Sequence, residues 1–215
     1  MQGTFMTAIA ETKQPSCLTP ARADRLEQVV IALLWVWLVQ RVLNSFNPDA
    51  WLLLISETAI MIFTVFRRPT QAITMRLGDW LLAVTATAAP MLVVPGVMLV
   101  PSLEKVGIAL FIIGNLFQLW AKLILRRSFG VAAANRGVKI AGPYRFVRHP
   151  MYAGYAIIHL AFLLLMFMPV NLVLYAIGWW AQILRIKAEE NVLSQDPKYA
   201  DYMTKVKWRL IPGVF

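Results

Sequence analysis

Residues 142–155 read GPYRFVRHPMYAGY, and the architecture follows from what they begin. Pro150 suits the first turn of a helix, where a missing N–H costs nothing, and His149 before it is pushed out of helical geometry. From Met151 to Leu184 the chain then carries no Asp, Glu, Lys or Arg. A helix rising ~1.5 Å per residue crosses a bilayer in ~20 residues, so this run is too long for one crossing. Met168-Pro169-Val170-Asn171, near its middle, predicts a turn. The outcome is a helical hairpin whose two ends bring His149 and Glu189 to the same face of a membrane.

Working outward, the 215 residues are 59% hydrophobic and 15% charged, whereas soluble domains run at about 45–50% and about 25%. Four further apolar segments precede the hairpin: Leu26–Phe46, Ala50–Phe66, Leu81–Leu103 and Val106–Leu125. The third holds Pro90, Pro95 and Pro101 and is expected to be kinked or broken. Glu57, inside the second, reads as a helix-packing residue, with a substrate contact as the alternative. The expectation is an all-α polytopic membrane protein of about six transmembrane helices. It divides into a tail (1–25), N-terminal helices (26–105) and a core (106–215).

The net charge of +10 comes in bursts at Arg22–Arg25, Arg67–Arg76, Arg126–Arg148 and Arg185–Arg209, with no Lys or Arg between Phe46 and Trp51 or between Met166 and Leu172. Such alternation is the positive-inside pattern and places both termini and the His149–Glu189 mouth in the cytoplasm, with Arg41 and Lys105 as exceptions. Nucleic-acid binding is excluded because the basic segments have no soluble fold to carry them. Cys17 is the only cysteine, and His149 and His159 are the only histidines. These cannot supply a disulfide, and no carboxylate is spaced to complete a metal site. The eleven glycines contain no G-x-G, so the soluble dinucleotide fingerprint is missing, and there is no Walker-type loop either.

The polar residues gather where the hairpin opens. The amides and dipole of the helix starting at Pro150 suit an anion, reinforced by Arg145 and Arg148. Tyr152, Tyr155 and His159 share one helix face, a spacing that core packing also produces. Gly154 beside them permits close approach of another backbone or of a ligand. Arg185 and Glu189 are four apart and pair on a helix; Lys187 and Glu190 allow the same. Pro197–Tyr202 reads as an amphipathic helix on the membrane surface, and Trp208–Pro212 as a segment folding back as a lid.

In G-P-Y-x-x-x-R-H-P-x-Y-x-G at Gly142–Gly154, in the Glu189–Glu190 pair, in the Tyr199/Tyr202 spacing and in Arg209–Pro212, the C-terminal half resembles a family of integral-membrane methyltransferases. These are the enzymes related to isoprenylcysteine carboxyl methyltransferase and the phospholipid N-methyltransferases. The resemblance implies S-adenosylmethionine as cofactor, bound on the cytoplasmic side, and a lipophilic acceptor entering among the membrane lipids. It implies that His149, Tyr152 and Gly154 line the cofactor pocket, that Glu190 and Glu189 hold the cofactor's polar groups, and that Arg145 or Arg148 lies nearby. Arg209 would orient an acceptor carboxylate. For an amine or thiol acceptor, Glu189 or His149 would receive the proton. Competing readings are a phospholipid amine or small-thiol methyltransferase, an NADPH-dependent reductase of the sterol type, and a non-enzymatic protein gripping anionic lipids. The last has no use for two carboxylates at the mouth.

Overall fold

The computed structural model describes residues 19–44, 54, 58–59, 61–94 and 96–215. Cys17, Glu57 and Pro95 fall outside these, as does most of the expected span Ala50–Phe66. The described residues form the helices α1 (Pro20–Leu43), α2 (Leu77–Met91), α3 (Glu104–Leu125), α4 (Pro150–Leu165), α5 (Pro169–Leu193) and α6 (Pro197–Lys205). Short 3-10 turns lie at Pro101–Leu103, Arg126–Ser128 and Gly142–Arg145, and residues 61–65 are helical as well. The described residues contain no strand, only isolated bridges at Ile73–Ala134 and Val97–Phe167.

Helix α1 starts at Pro20, six residues before the expected Leu26. Thr19 caps it by accepting the Arg22 N–H, and Pro20 occupies the first turn. Its early acidic residues are not in a solvated tail. Asp24 and Glu27 are buried, and both bond Arg67 at 2.8 Å. Arg136 meets the same two carboxylates at 2.6 and 3.4 Å. Glu27 also accepts the Val131 N–H. Two anions and two cations thus bolt the start of α1 to the residues after the second apolar segment and to the loop after α3. The loop is pinned again where Thr74 N–H reaches Ala133 O and Asn135 N–H reaches Ala72 O, each at 2.8 Å.

The expected third span is broken, as its prolines require. Pro90 sits in the last turn of α2, the helix stops at Met91, and regular structure resumes at Pro101. Among the described residues, two helical stretches are long and apolar enough to cross a membrane, Pro20–Leu43 and Pro101–Ser128; Pro150–Leu165 is apolar but shorter. Large aliphatic and aromatic side chains lie exposed on α1, α3 and α5, among them Leu33, Ile113, Leu116, Val173 and Trp180, as a lipid-facing surface would have it.

The hairpin turn is confined to residues 166–168, because Pro169 already begins α5. Asn171, fully buried in its first turn, exchanges two hydrogen bonds with the Val94 backbone and holds Met166 O. The two arms are unequal, 16 and 25 residues, and they do not pack along each other. Helix α4 lies against α3, α5 lies against α2, and α4 and α5 scarcely touch. The space left between them and α1 is an apolar cavity of about 300 Å³, walled by residues such as Trp35, Leu38, Ile158, Phe162, Tyr175 and Trp179. Arg41 closes its far end, bonding Val93 O at 3.0 Å and lying over the Trp37 ring.

Candidate active site

His149 caps α4 in a non-helical conformation (φ −126°), and its carbonyl starts the helix by accepting from Tyr152 and Ala153. The amides of Arg148 and His149 do not face an incoming anion. They bond the carbonyls of Trp208 and Arg209, each at 2.9 Å, so the 207–211 strap folds back across this end of the helix. Arg148 Nη2 adds a bond to Lys207 O.

Glu189 and Glu190, adjacent on α5, point to different neighbours. Glu190 turns to the strap. His149 Nε2 lies 3.1 Å from its Oε1, Arg148 Nη1 lies 3.2 Å from the same oxygen, and Arg209 grips Oε2 through Nε (2.9 Å) and Nη2 (2.8 Å). Burial alone would raise the Glu190 carboxyl, yet the hydrogen bonds from His149 and Arg209 and the charge of Arg148 hold it below its ordinary 4.5. Glu189 instead accepts from the Tyr152 hydroxyl at 2.5 Å and from Arg185 Nε at 3.1 Å, with His149 Nδ1 at 3.8 Å. The His149 and Tyr152 rings stack at 5.7 Å, and the Arg185 guanidinium sits 5.1 Å above the Tyr152 ring.

These groups border a polar cavity of about 100 Å³. Of the residues the sequence singled out, Arg148, His149, Tyr152 and Glu189 line it. Four others do not. Glu190 and Arg209 are consumed in holding the strap, and Arg145 is exposed on the 142–145 turn. Gly154 faces a helix: a Cβ there would lie 2.8 Å from Gln118 Cβ and 3.1 Å from its Cα, so this glycine sets the approach of α4 to α3. Gly154→Val is expected to lower stability by ~1–3 kcal/mol through overpacking, read as a drop in thermal unfolding temperature with ligand affinity of the folded protein retained.

Other lining residues escaped the sequence reading. Ser128, Phe129, Arg136 and Lys139 come from the loop after α3, which has no periodic pattern to betray it. Helix α6 packs one face into the protein. Tyr199 and Tyr202 are 4% and 5% exposed and turn into the core, lining the cavity, and Asn135 reaches from the loop to the capping carboxylate Asp196 at 3.0 Å. The Tyr202 hydroxyl donates to Tyr144 O at 2.6 Å. The Tyr199 hydroxyl is buried with no partner among the described residues. Burial pushes both phenols well above their ordinary 10.0, so they stand as neutral hydroxyls.

The polar cavity, the R-H-P turn and both glutamates belong to one continuous stretch of sequence, of which residues 107–195 match the family model of isoprenylcysteine carboxyl methyltransferase (ICMT). This segment is ICMT-like. It runs from within α3 to just past the end of α5. Among solved structures, the eukaryotic intramembrane Ras methyltransferase ICMT, solved without a monobody, is similar at 15% identity with a TM-score of 0.46, over 90% of this chain and 76% of that one. No curated protein matches. Outside the ICMT-like segment lie α1, α2, α6 and the strap, which supply one wall of the apolar cavity, Tyr199, Tyr202 and Arg209.

Proposed function

We propose that the protein transfers a methyl group from S-adenosylmethionine to a lipophilic acceptor held within the bilayer. One observation carries this reading: Phe129, Met151 and Tyr152 line both the polar and the apolar cavity. A water-soluble donor and a greasy acceptor need such adjoining chambers. When bound, S-adenosylmethionine supplies an electrophilic methyl group on a sulfonium.

The residues present fit that group. The Glu189 carboxylate and the tyrosine faces favour a cationic centre, with each cation–π contact worth ~0.5–2 kcal/mol. The unpartnered Tyr199 hydroxyl offers a hydrogen bond, and Lys139 at the rim offers a charge for a carboxylate. Displacement at a methyl carbon asks mainly for alignment and exclusion of water. Stacked His149 and Tyr152 fix one wall for alignment, and the 207–211 strap covers the end of α4.

About six spans with a cytoplasmic cofactor mouth remain our reading of the topology. The two long apolar helices and the exposed aliphatic surface support membrane embedding. Arg136, Lys139 and Arg148 line the polar cavity, while Arg41 and Lys105 are described cations set apart from it; that bias supports the cytoplasmic assignment. Calorimetric titration of the detergent-purified protein with S-adenosylhomocysteine, with NADPH alongside, tests the reading. Saturable binding of the first and none of the second is expected. Binding of NADPH alone would replace it with the sterol-reductase reading, and binding of neither would remove the cofactor assignment.

A further inference from the structure

The loop after α3 supplies much of the polar cavity, Ser128, Phe129, Gly130, Arg136 and Lys139 among it, yet it contains no helix or strand between Ser128 and the turn at Gly142. Its path is set by what grips it. Backbone bonds to Ala72 and Thr74 hold one side. The other grip comes from α1, where Glu27 accepts the Val131 N–H and Asp24 and Glu27 together hold the Arg136 guanidinium. Arg136 reaches them by folding back across its own loop: a Cβ on Gly130 would lie 2.2 Å from Arg136 Nη1. Ser128 Oγ, donating to Arg136 O at 3.1 Å, closes this fold.

The Arg136 side chain is 1% exposed, and a desolvated guanidinium stays inward only while counter-charges hold it there. Arg67 completes the group, so two carboxylates meet two guanidiniums and the quartet is neutral. Losing one anion leaves an excess positive charge. Arg136 and Gly130 already line the polar cavity, so a guanidinium released by α1 has that cavity to enter. The helix that carries the carboxylates is also seated against the wall between the chambers. Ile31, one turn beyond Glu27, packs in the same core as Phe129, Met151 and Tyr152, the residues common to both cavities.

We propose that Asp24 and Glu27 are positioning residues for the polar cavity. Neither carboxylate is among the residues lining that cavity. Acting through Arg136, they hold the 128–139 loop in the shape that takes the methyl donor, from a helix that lies outside the ICMT-like segment. The identity of the ligand rests on the methyl-transfer reading; the grip on the loop does not. Neutralising either carboxylate leaves Tyr152 and Glu189 with their own partners, so the loss falls on donor binding and not on the transfer step.

The test compares Glu27→Gln, Gly130→Ala, their double variant and Gln28→Leu with the wild type in lipid nanodiscs. Gln28 is the control: on the same helix, its amide donates to Thr64 O at 3.0 Å, tying α1 to the chain before Arg67 instead of to the loop. Glu27→Gln should weaken S-adenosylhomocysteine binding about tenfold, the scale on which a residue remote from a ligand modulates its affinity. KM for S-adenosylmethionine should rise by a similar factor while kcat stays within about threefold, as loss of binding common to ground and transition states requires. Gly130→Ala, which displaces the guanidinium from the loop side, should match it. The double variant should lose less than the product of the two factors, because both act on Arg136. Without any ligand, amide hydrogen exchange at residues 131–135 should quicken about tenfold in Glu27→Gln and not in Gln28→Leu. Gln28→Leu, compared at the same interval below its unfolding temperature, should keep wild-type affinity. Wild-type affinity in Glu27→Gln overturns the proposal, as does a fall in kcat with KM unchanged or a multiplicative double variant. An equal loss in Gln28→Leu also overturns it, since the effect is then one of stability alone. If Glu27→Gln does not fold, Gly130→Ala and its exchange pattern decide. Should the wild type bind no S-adenosylhomocysteine, the methyl-transfer reading falls and exchange decides the grip: quickening confined to Glu27→Gln keeps it, and unchanged exchange removes it.

Discussion

Glu190→Ala is expected to release the C-terminal strap and lower the unfolding temperature more than any other single change at the site. Its carboxylate is the shared counter-ion of Arg148 and Arg209 and the hydrogen-bond partner of His149, and it is 5% exposed. Removing one member of a buried ion pair costs ~3–5 kcal/mol because the other charge is stranded; here two guanidiniums are left. The resemblance implies that Glu190 holds the cofactor's polar groups, and on that reading the variant would stay folded and lose the cofactor. The geometry redirects the effect to stability, with ligand affinity falling because His149 loses its anchor. Thermal unfolding in detergent, with limited proteolysis of the strap, separates the two. An unchanged unfolding temperature with lost S-adenosylhomocysteine binding would restore the direct cofactor role.

The same carboxylate gives the protein an acid-side weakness. Its folded-state value lies below the ordinary 4.5, so its contribution is complete above that value and is lost as pH falls through the lowered one. Wild-type stability should therefore fall more steeply than that of Glu190→Ala below about pH 4.5, and the two curves should converge in acid.

Tyr152→Ala is expected to reduce methyl transfer by about a hundredfold or more, since misplacing reactants by an ångström has that effect. Tyr152 is 3% exposed, its ring stacks on His149 and carries the Arg185 guanidinium, and with Phe129 and Met151 it lines both cavities. Without it the chambers merge, and water gains the space where donor and acceptor should meet. Tyr152→Phe keeps the ring and loses only the bond to Glu189, so a loss of about tenfold is expected, the low end (~1.5 kcal/mol) for one hydrogen bond to a charged group. Equal losses in the two variants, measured as turnover with labelled donor, would assign the effect to the hydroxyl and not to the partition.

The helices and the polar end of α4 were legible because they rest on local signals. A proline after a histidine starts a helix, prolines break the third apolar segment, and a long uncharged run must turn back. Arg148, His149, Tyr152 and Glu189 could be gathered from spacing alone. The division of labour between the glutamates could not. Neighbouring residues on a helix point about 100° apart, given 3.6 residues per turn, and only tertiary placement of the strap decides which one it claims. Asp24 fell in the expected tail and Glu27 at the start of the first expected span, and their partners lie forty or more residues away in Arg67 and over a hundred away in Arg136. Such pairing leaves no trace in periodicity. The splaying of α4 from α5 was hidden for a related reason. Hydropathy marks which segments are apolar, not which apolar neighbour each will choose.

The bolt formed by Asp24, Glu27, Arg67 and Arg136 bears on how this protein can be dissected. The ICMT-like segment carries Arg136 but neither of its carboxylates. Expressed alone, it would present a desolvated guanidinium with nothing to neutralise it, in the very loop that floors the polar cavity. Modular trimming or domain grafting should accordingly keep α1, from Thr19 at the latest, together with the segment that lines the polar cavity, however little that helix shares with the recognisable motif.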